Sequence, residues 1–110
     1  MIKSYRHPTR AATAIVSELE SQELDNLQIR EEILTAKEIY AEEMAEAMVL
    51  QKILHNANEI LSTREHSDAV ARLIHLEGTA ETYRIVAKIL ESGLDGSKLS
   101  IIQRLRDLFK

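Results

Sequence analysis

Carboxylates and imidazoles are the side chains of this 110-residue chain that could support catalysis or bind a metal. Glu38, Glu42 and Glu46 recur at four-residue steps, and His55 precedes Glu59 by the same step, so each set would share one face of a helix. Such a face can chelate a cation, but it is also the ordinary pattern of an acidic helix surface. The Glu-x-x-His and His-Glu-x-x-His motifs of helical metal sites are absent. We therefore predict no metal site and no bound cofactor.

The sequence offers no activated nucleophile and no phosphate-binding loop. Cysteine is absent, which also excludes a disulfide framework. His66 and His75 are the candidate catalytic histidines, and His75 has no serine or acid at a spacing that would activate it. A packing or surface role is expected for both. The three glycines, Gly78, Gly93 and Gly96, do not match any known phosphate-loop spacing. We therefore expect a protein that is not an enzyme, and a helical-bundle enzyme without a recognisable motif is one alternative.

The elements that carry these residues are predicted to be helices. Three glycines and one proline are too few turn formers for a β-sandwich or a barrel. Pro8 suits the first turn of a helix over about 8–23. A second helix is predicted over 24–61, and a break between the two near 21–26 stays open. Its apolar positions recur at steps of three or four and are Ile29, Ile33, Ala36, Tyr40, Met44, Ala47, Leu50, Leu54, Ala57 and Leu61.

A short polar turn over 62–67 separates the second helix from a third. Ser62 and Glu65 have the spacing of a capping box. The third helix is predicted to run to about residue 92, and its mid-helix Gly78 predicts that a neighbouring helix approaches closely. A last, amphipathic helix is predicted over 98–109. The expected fold is all-α, a long antiparallel helical hairpin flanked by an N-terminal helix and a short C-terminal amphipathic helix.

One domain is expected to span residues 1–110. Its first seven residues are expected to form a loose basic arm. Charge is uneven along it, because residues 1–10 carry +3, residues 97–110 carry +3 and the stretch between carries −10. The acidic middle repels phosphate, so we expect no nucleic-acid partner. The alternative is a small nucleic-acid-associated regulator that contacts phosphate through its basic ends, at Lys3, Arg6, Arg10, Arg104 and Arg106.

Residues 44–61 are apolar on two sides of the predicted helix, which is typical of a helix buried on two sides. One side can meet the same chain, so the other predicts a second copy, most simply in a dimer resembling a coiled coil. The terminal helix could dock across that interface or onto another protein, or it could fold back on its own core. The predicted interface residues are Val49, Ile53, Ile60, Leu99, Ile102, Leu105 and Phe109.

The run from Leu61 to Gly78, followed by Tyr83 and Val86, resembles a pattern in small helical accessory proteins of tailed bacteriophages. In those proteins a long helix and a polar turn precede a helix with a central Leu-x-Gly, which Leu76-Glu77-Gly78 matches over residues 50–91. The resemblance implies an accessory or assembly protein of a virus or prophage. No apolar run is long enough to span a membrane and the N-terminus lacks the apolar core of a signal peptide, so we expect a cytoplasmic protein, in the host cytoplasm or in a virion.

Overall fold

Four helices and no strand make up the part of the chain that the computed structural model describes, which is Ile2, residues 7–21, 24–56, 62–94, Gly96 and residues 98–109. The predicted all-α fold is confirmed, and the two long helices pack against each other along their length as an antiparallel hairpin. The helices are α1 (Pro8–Glu20), α2 (Asn26–Asn56), α3 (Thr63–Leu94) and α4 (Lys98–Leu108).

The first two helices are separate because the chain caps both ends of the break. Ser21 donates its hydroxyl to the Glu18 carbonyl at 3.1 Å at the end of α1. Asp25 then caps α2, since its carboxylate accepts the Gln28 N–H at 2.8 Å and the Gln28 side chain accepts the Asp25 N–H at 2.9 Å. This reciprocal pair satisfies two backbone donors that the first turn leaves without partners. It places the break at the position that the sequence left open.

The predicted capping box at the start of the third helix is confirmed. Glu65 N–H donates to Ser62 Oγ at 3.2 Å, and Ser62 N–H donates to Glu65 Oε2 at 3.3 Å. The helix therefore begins at Thr63, several residues earlier than the predicted turn over 62–67 would allow. The predicted apolar positions Ala57 and Leu61 lie outside the described residues.

A four-helix base holds the hydrophobic core. The buried side chains of α2 and α3 in this core lie over 29–36 and 83–90, and α1 and α4 close it from the other side. Ile2 is also fully buried, and its N–H donates to Glu32 Oε2 at 3.0 Å. The prediction of a loose arm over 1–7 is therefore wrong at Ile2, because an isoleucine side chain gains more from burial than from solvent exposure.

The far half of the hairpin extends beyond this base. The chain measures 55 Å along its longest axis and 23 and 20 Å across, and its radius of gyration is 16.8 Å, against about 13 Å for a compact domain of this length. We call residues 44–56 and 63–73 the distal hairpin. Within it only Ala47 is buried, and the facing positions Met44, Leu50, Leu54, Val70 and Leu73 are half-buried. Two helices alone leave most of their apolar surface in water.

The close helix approach that Gly78 predicts occurs instead at Gly93. A Cβ built on Gly78 meets no atom within 4 Å, so the prediction for that residue is wrong within the described chain. Gly93 is buried, and a Cβ there would overlap the Ile101 side chain of α4. Glycine at 93 lets the start of α4 lie directly against the end of α3, and α3 runs through it to Leu94 instead of stopping.

Alanine substitutions at these two glycines should shift stability in opposite directions. Gly93→Ala forces α4 off α3 and should cost about 1–3 kcal/mol. Gly78→Ala adds helix propensity in open space and should stabilise the fold by up to about 1 kcal/mol. Urea unfolding followed by circular dichroism measures both. A Gly93→Ala variant as stable as the wild type would contradict the packing of α4 described above.

Candidate interaction surface

The terminal helix packs on its own chain. Ile101, Ile102 and Leu105 are buried against α1 and α3. Lys98 Nζ donates to the Leu24 carbonyl at 3.0 Å, which ties the start of α4 to the start of α2. Ile102 and Leu105 fill the core of the base in the single chain, and their predicted role at an interface stays a prediction.

The other predicted interface residues have different surroundings. Leu99 is 75% exposed on the outer side of α4, and Phe109 is half-buried against the core. Val49 and Ile53 are exposed on α2, as a surface that meets a partner requires. Ile60 lies outside the described residues. An interface through Val49, Ile53 and Leu99 stays a prediction.

Two of the predicted phosphate contacts have partners within the chain. Arg106 forms an ion pair with Glu20 of α1, and Arg104 Nη1 donates to Ser92 Oγ at 2.5 Å. Arg10 is exposed on α1. Lys3 and Arg6 lie outside the described residues. The two arginines of α4 thus join it to α1 and α3. A phosphate would have to compete with Glu20 and Ser92 for them.

Exposed apolar side chains concentrate on α2. Seven large hydrophobic residues are exposed in the described part of the chain, and five of them belong to this helix. The other two are Ile74 and Leu99. The four on one face of α2 are each more than half exposed, and they are Leu27 at 67%, Leu34 at 60%, Met48 at 56% and Val49 at 57%.

These residues lie along one side of the helix, where Arg30, Glu31 and Glu38 stand between them. Leu27, Leu34, Ala41 and Met48 follow each other at seven-residue steps, and Ala45 and Val49 lie beside them, so all six fall within about 100° of the helix circumference at about 100° per residue. We call them the outer stripe. It lies opposite Ile29, Ile33 and Ala36, which are buried in the base. The outer stripe faces away from α3 and is exposed in the described part of the chain.

Carboxylates beside the outer stripe are fewer than the sequence indicates. Glu38, Glu42 and Glu46 are exposed, and Glu46 pairs with Arg72 of α3 at 3.1 Å. Glu32 is buried beneath Ile2, and Glu43 points inward and accepts the Thr79 hydroxyl. Glu32 and Glu43 therefore do not add to the charge of the exposed face of α2. Its remaining charges border an apolar line, which gives the face an amphipathic character.

Tyr83 is a buried residue of α3 whose phenol has a shifted pKa. Burial raises the pKa of its phenol, and the nearby negative charge of Glu43 raises that pKa further. On the exposed surface of α3, the hydrogen bond from Arg84 lowers the pKa of Glu81, with Arg84 Nε 2.8 Å from Glu81 Oε2. The first pair belongs to the folded core and the second to the solvated surface, so of these two pairs it is the one with Tyr83 that we expect to link stability to pH measurably.

Stability should fall as the pH rises above about 10, the pKa of an unperturbed tyrosine. The unfolded chain loses the Tyr83 proton near that pH, whereas the folded chain keeps it until its raised pKa is reached, so alkali favours unfolding. Tyr83→Phe should reduce this loss. Urea midpoints at neutral pH and near pH 10.5 for both chains measure it, and equal losses in the two would contradict the assignment.

Two grooves lie beside α1 and α4 in the described part of the chain. One shallow groove of about 390 Å³ lies between the start of α1, the middle of α3 and the end of α4, lined in part by His75, Gly78 and Phe109. A second, of about 310 Å³, runs between α1 and α4. No group of three or more His, Cys, Asp or Glu side chains that could hold a metal ion is found among the described residues. The outer stripe is therefore the best candidate for a functional site.

No helix in the described part of the chain is both long and apolar enough to cross a membrane. No family model, no curated protein and no solved structure matches this chain.

Proposed function

We propose that this chain is a non-enzymatic helical interaction subunit that self-associates through the outer stripe of α2. The observation that carries the proposal is the line of apolar side chains from Leu27 to Val49, four of them more than half exposed. Exposed apolar patches of this kind mark interaction sites on folded proteins. An isologous pair of identical copies would cover the stripe of each with that of the other.

The distal hairpin supports the same proposal. Its two helices bury a single residue between them, so packing within one chain contributes little to holding them together. Met48 and Val49 of the outer stripe lie in this segment, and Ile53 is exposed beside them. Association through this surface would add buried apolar area where one chain supplies the least.

Subunit exchange tests the proposal directly. A tagged and an untagged copy of the full chain, mixed at micromolar concentration, should co-purify on the tag. A tagged Leu34→Glu chain is the matched control, because it places a charge in the outer stripe without touching the core. Failure of the wild-type copies to co-purify would contradict the proposal.

The resemblance to phage accessory proteins gives this proposal its biological setting, a small assembly or accessory subunit in a host cell or a virion. A further protein partner could bind the exposed side of α4, where Leu99 lies. Pull-down from the native host with the wild-type chain and with Leu99→Glu tests this setting. A virion component retained only by the wild type would support it, and recovery of none would count against it.

A further inference from the structure

Charges of opposite sign border the two sides of the outer stripe. The residue three positions after Leu27 is Arg30 and the residue four positions after it is Glu31. The same order repeats after Leu34, with a lysine at 37 and a glutamate at 38. All four charged residues are exposed, and Lys37 also forms an ion pair with Glu91 of α3, so Arg30 is the basic residue of this border without an ion pair among the described residues. On a helix the i+3 and i+4 positions lie on opposite sides of residue i, at about −60° and +40°. One border is therefore basic and the other acidic.

This arrangement distinguishes the two ways in which identical helices can pair. In a parallel pair the two-fold axis runs along the helices, so the left border of one copy faces the right border of the other at the same level. In an antiparallel pair the two-fold axis runs across the helices. The basic border of one copy then lies on the same side as the basic border of the other, and the acidic borders lie together on the opposite side. Parallel pairing thus sets bases against acids. Antiparallel pairing centred near Leu34 sets like charges against each other, which is destabilising.

The residues of the stripe itself fit the parallel arrangement. Ala41 and Ala45 would meet their own counterparts near the middle of the pair, where small side chains let two helices approach closely. Leucine would meet leucine at 27 and at 34, and methionine would meet methionine at 48. An antiparallel pair centred on the middle of α2 would keep the like charges apart but would bring the charged first half of α2 against the apolar second half of the other copy, which leaves charges beside apolar groups.

We infer that two copies of this chain pair in parallel along α2, with the outer stripes in contact and the basic border of each facing the acidic border of the other. The inference rests on the proposed self-association and adds the orientation of the partner. Both distal hairpins then project from the same end of the pair. The two bases lie together at the other end.

Distances between spin labels measure the orientation. The chain has no cysteine, so single cysteines at Asn26 and at Asn56, both exposed at the two ends of α2, accept labels cleanly. In a parallel pair both the 26–26 and the 56–56 distances should be short, set by helix axes about 8–10 Å apart plus the label arms. In any antiparallel pair the two distances add up to at least about 90 Å, because 30 residues separate the sites at about 1.5 Å each.

Two short distances support the inference, and one distance of about 45 Å or more in a dimer overturns it while leaving self-association intact. A chain that shows no inter-copy distance and sediments as a monomer overturns the orientation and the proposed function together.

A charge test is independent of the labels. Arg30→Glu should weaken the pair several-fold at low salt, and the exchange Arg30→Glu with Glu31→Arg should restore it, because it swaps the borders without removing their complementarity. Unchanged affinity in Arg30→Glu would contradict the pairing of the borders.

Discussion

Deleting residues 97–110 should unfold the base of this protein and leave no independently folded hairpin. The deletion removes three buried side chains of α4, Ile101, Ile102 and Leu105, and exposes the faces of α1 and α3 that they cover. Burial of each is worth about 1.5–3 kcal/mol, and three together approach the whole free energy of unfolding of a small domain, about 5–15 kcal/mol. Circular dichroism should show lower helicity and loss of the cooperative thermal transition.

Single substitutions in α4 separate the contributions of its buried and its exposed side chains to stability. Leu105→Ala leaves a cavity in the base and should cost about 2–5 kcal/mol, whereas Leu99→Ala, at an exposed position of the same helix, should change stability by less than about 0.5 kcal/mol. If the truncated chain keeps its helicity and its melting temperature and loses only its assembly, then α4 is a docking element, as the sequence alone allowed, and its packing on α1 and α3 is not what holds the fold.

Leu34→Glu should dissociate the protein without unfolding it. Leu34 is 60% exposed in the single chain, so a glutamate there costs the fold little. In a two-fold pair the substitution occurs twice in one interface, and each copy loses about 1.5–3 kcal/mol of apolar burial. The dissociation constant should therefore rise at least a hundredfold. Sedimentation velocity over a range of concentrations measures this, and circular dichroism checks that the helices persist.

Ile74→Glu is the matched control for this prediction. Ile74 is 65% exposed, as much as Leu34, but it lies on α3 away from the outer stripe. The variant should remain associated and folded. Equal dissociation of both variants would show that the outer stripe is not the interface, and dissociation of Ile74→Glu alone would place the contact on α3.

The sequence predicts the helices well because their signals are local. The capping box at Ser62 follows from spacing alone, and the structure confirms it. Of the periodic apolar positions predicted for the second helix, the structure buries Ile29, Ile33, Ala36 and Ala47. Where α4 packs depends on contacts between residues far apart in the chain. Gly93 could be read equally as a helix stop or as a point of close approach, and only its position against Ile101 decides between them.

The outer stripe can be predicted from the sequence. The seven-residue spacing of Leu27, Leu34, Ala41 and Met48 is visible there, but the denser line that starts at Ile29 has the stronger period and defines the buried face. The glutamates between 31 and 46 then indicate a solvated outer face. That interpretation missed that Glu32 and Glu43 turn inward, which depends on Ile2 and Thr79, residues that no local pattern connects to them.

The mass of the unmodified chain in solution tests the central claim most directly. Light scattering coupled to size exclusion at micromolar concentration should give two chains of 12.5 kDa each, and the Leu34→Glu variant should give one. A wild-type chain that remains monomeric at that concentration, with its helices intact, would contradict the account.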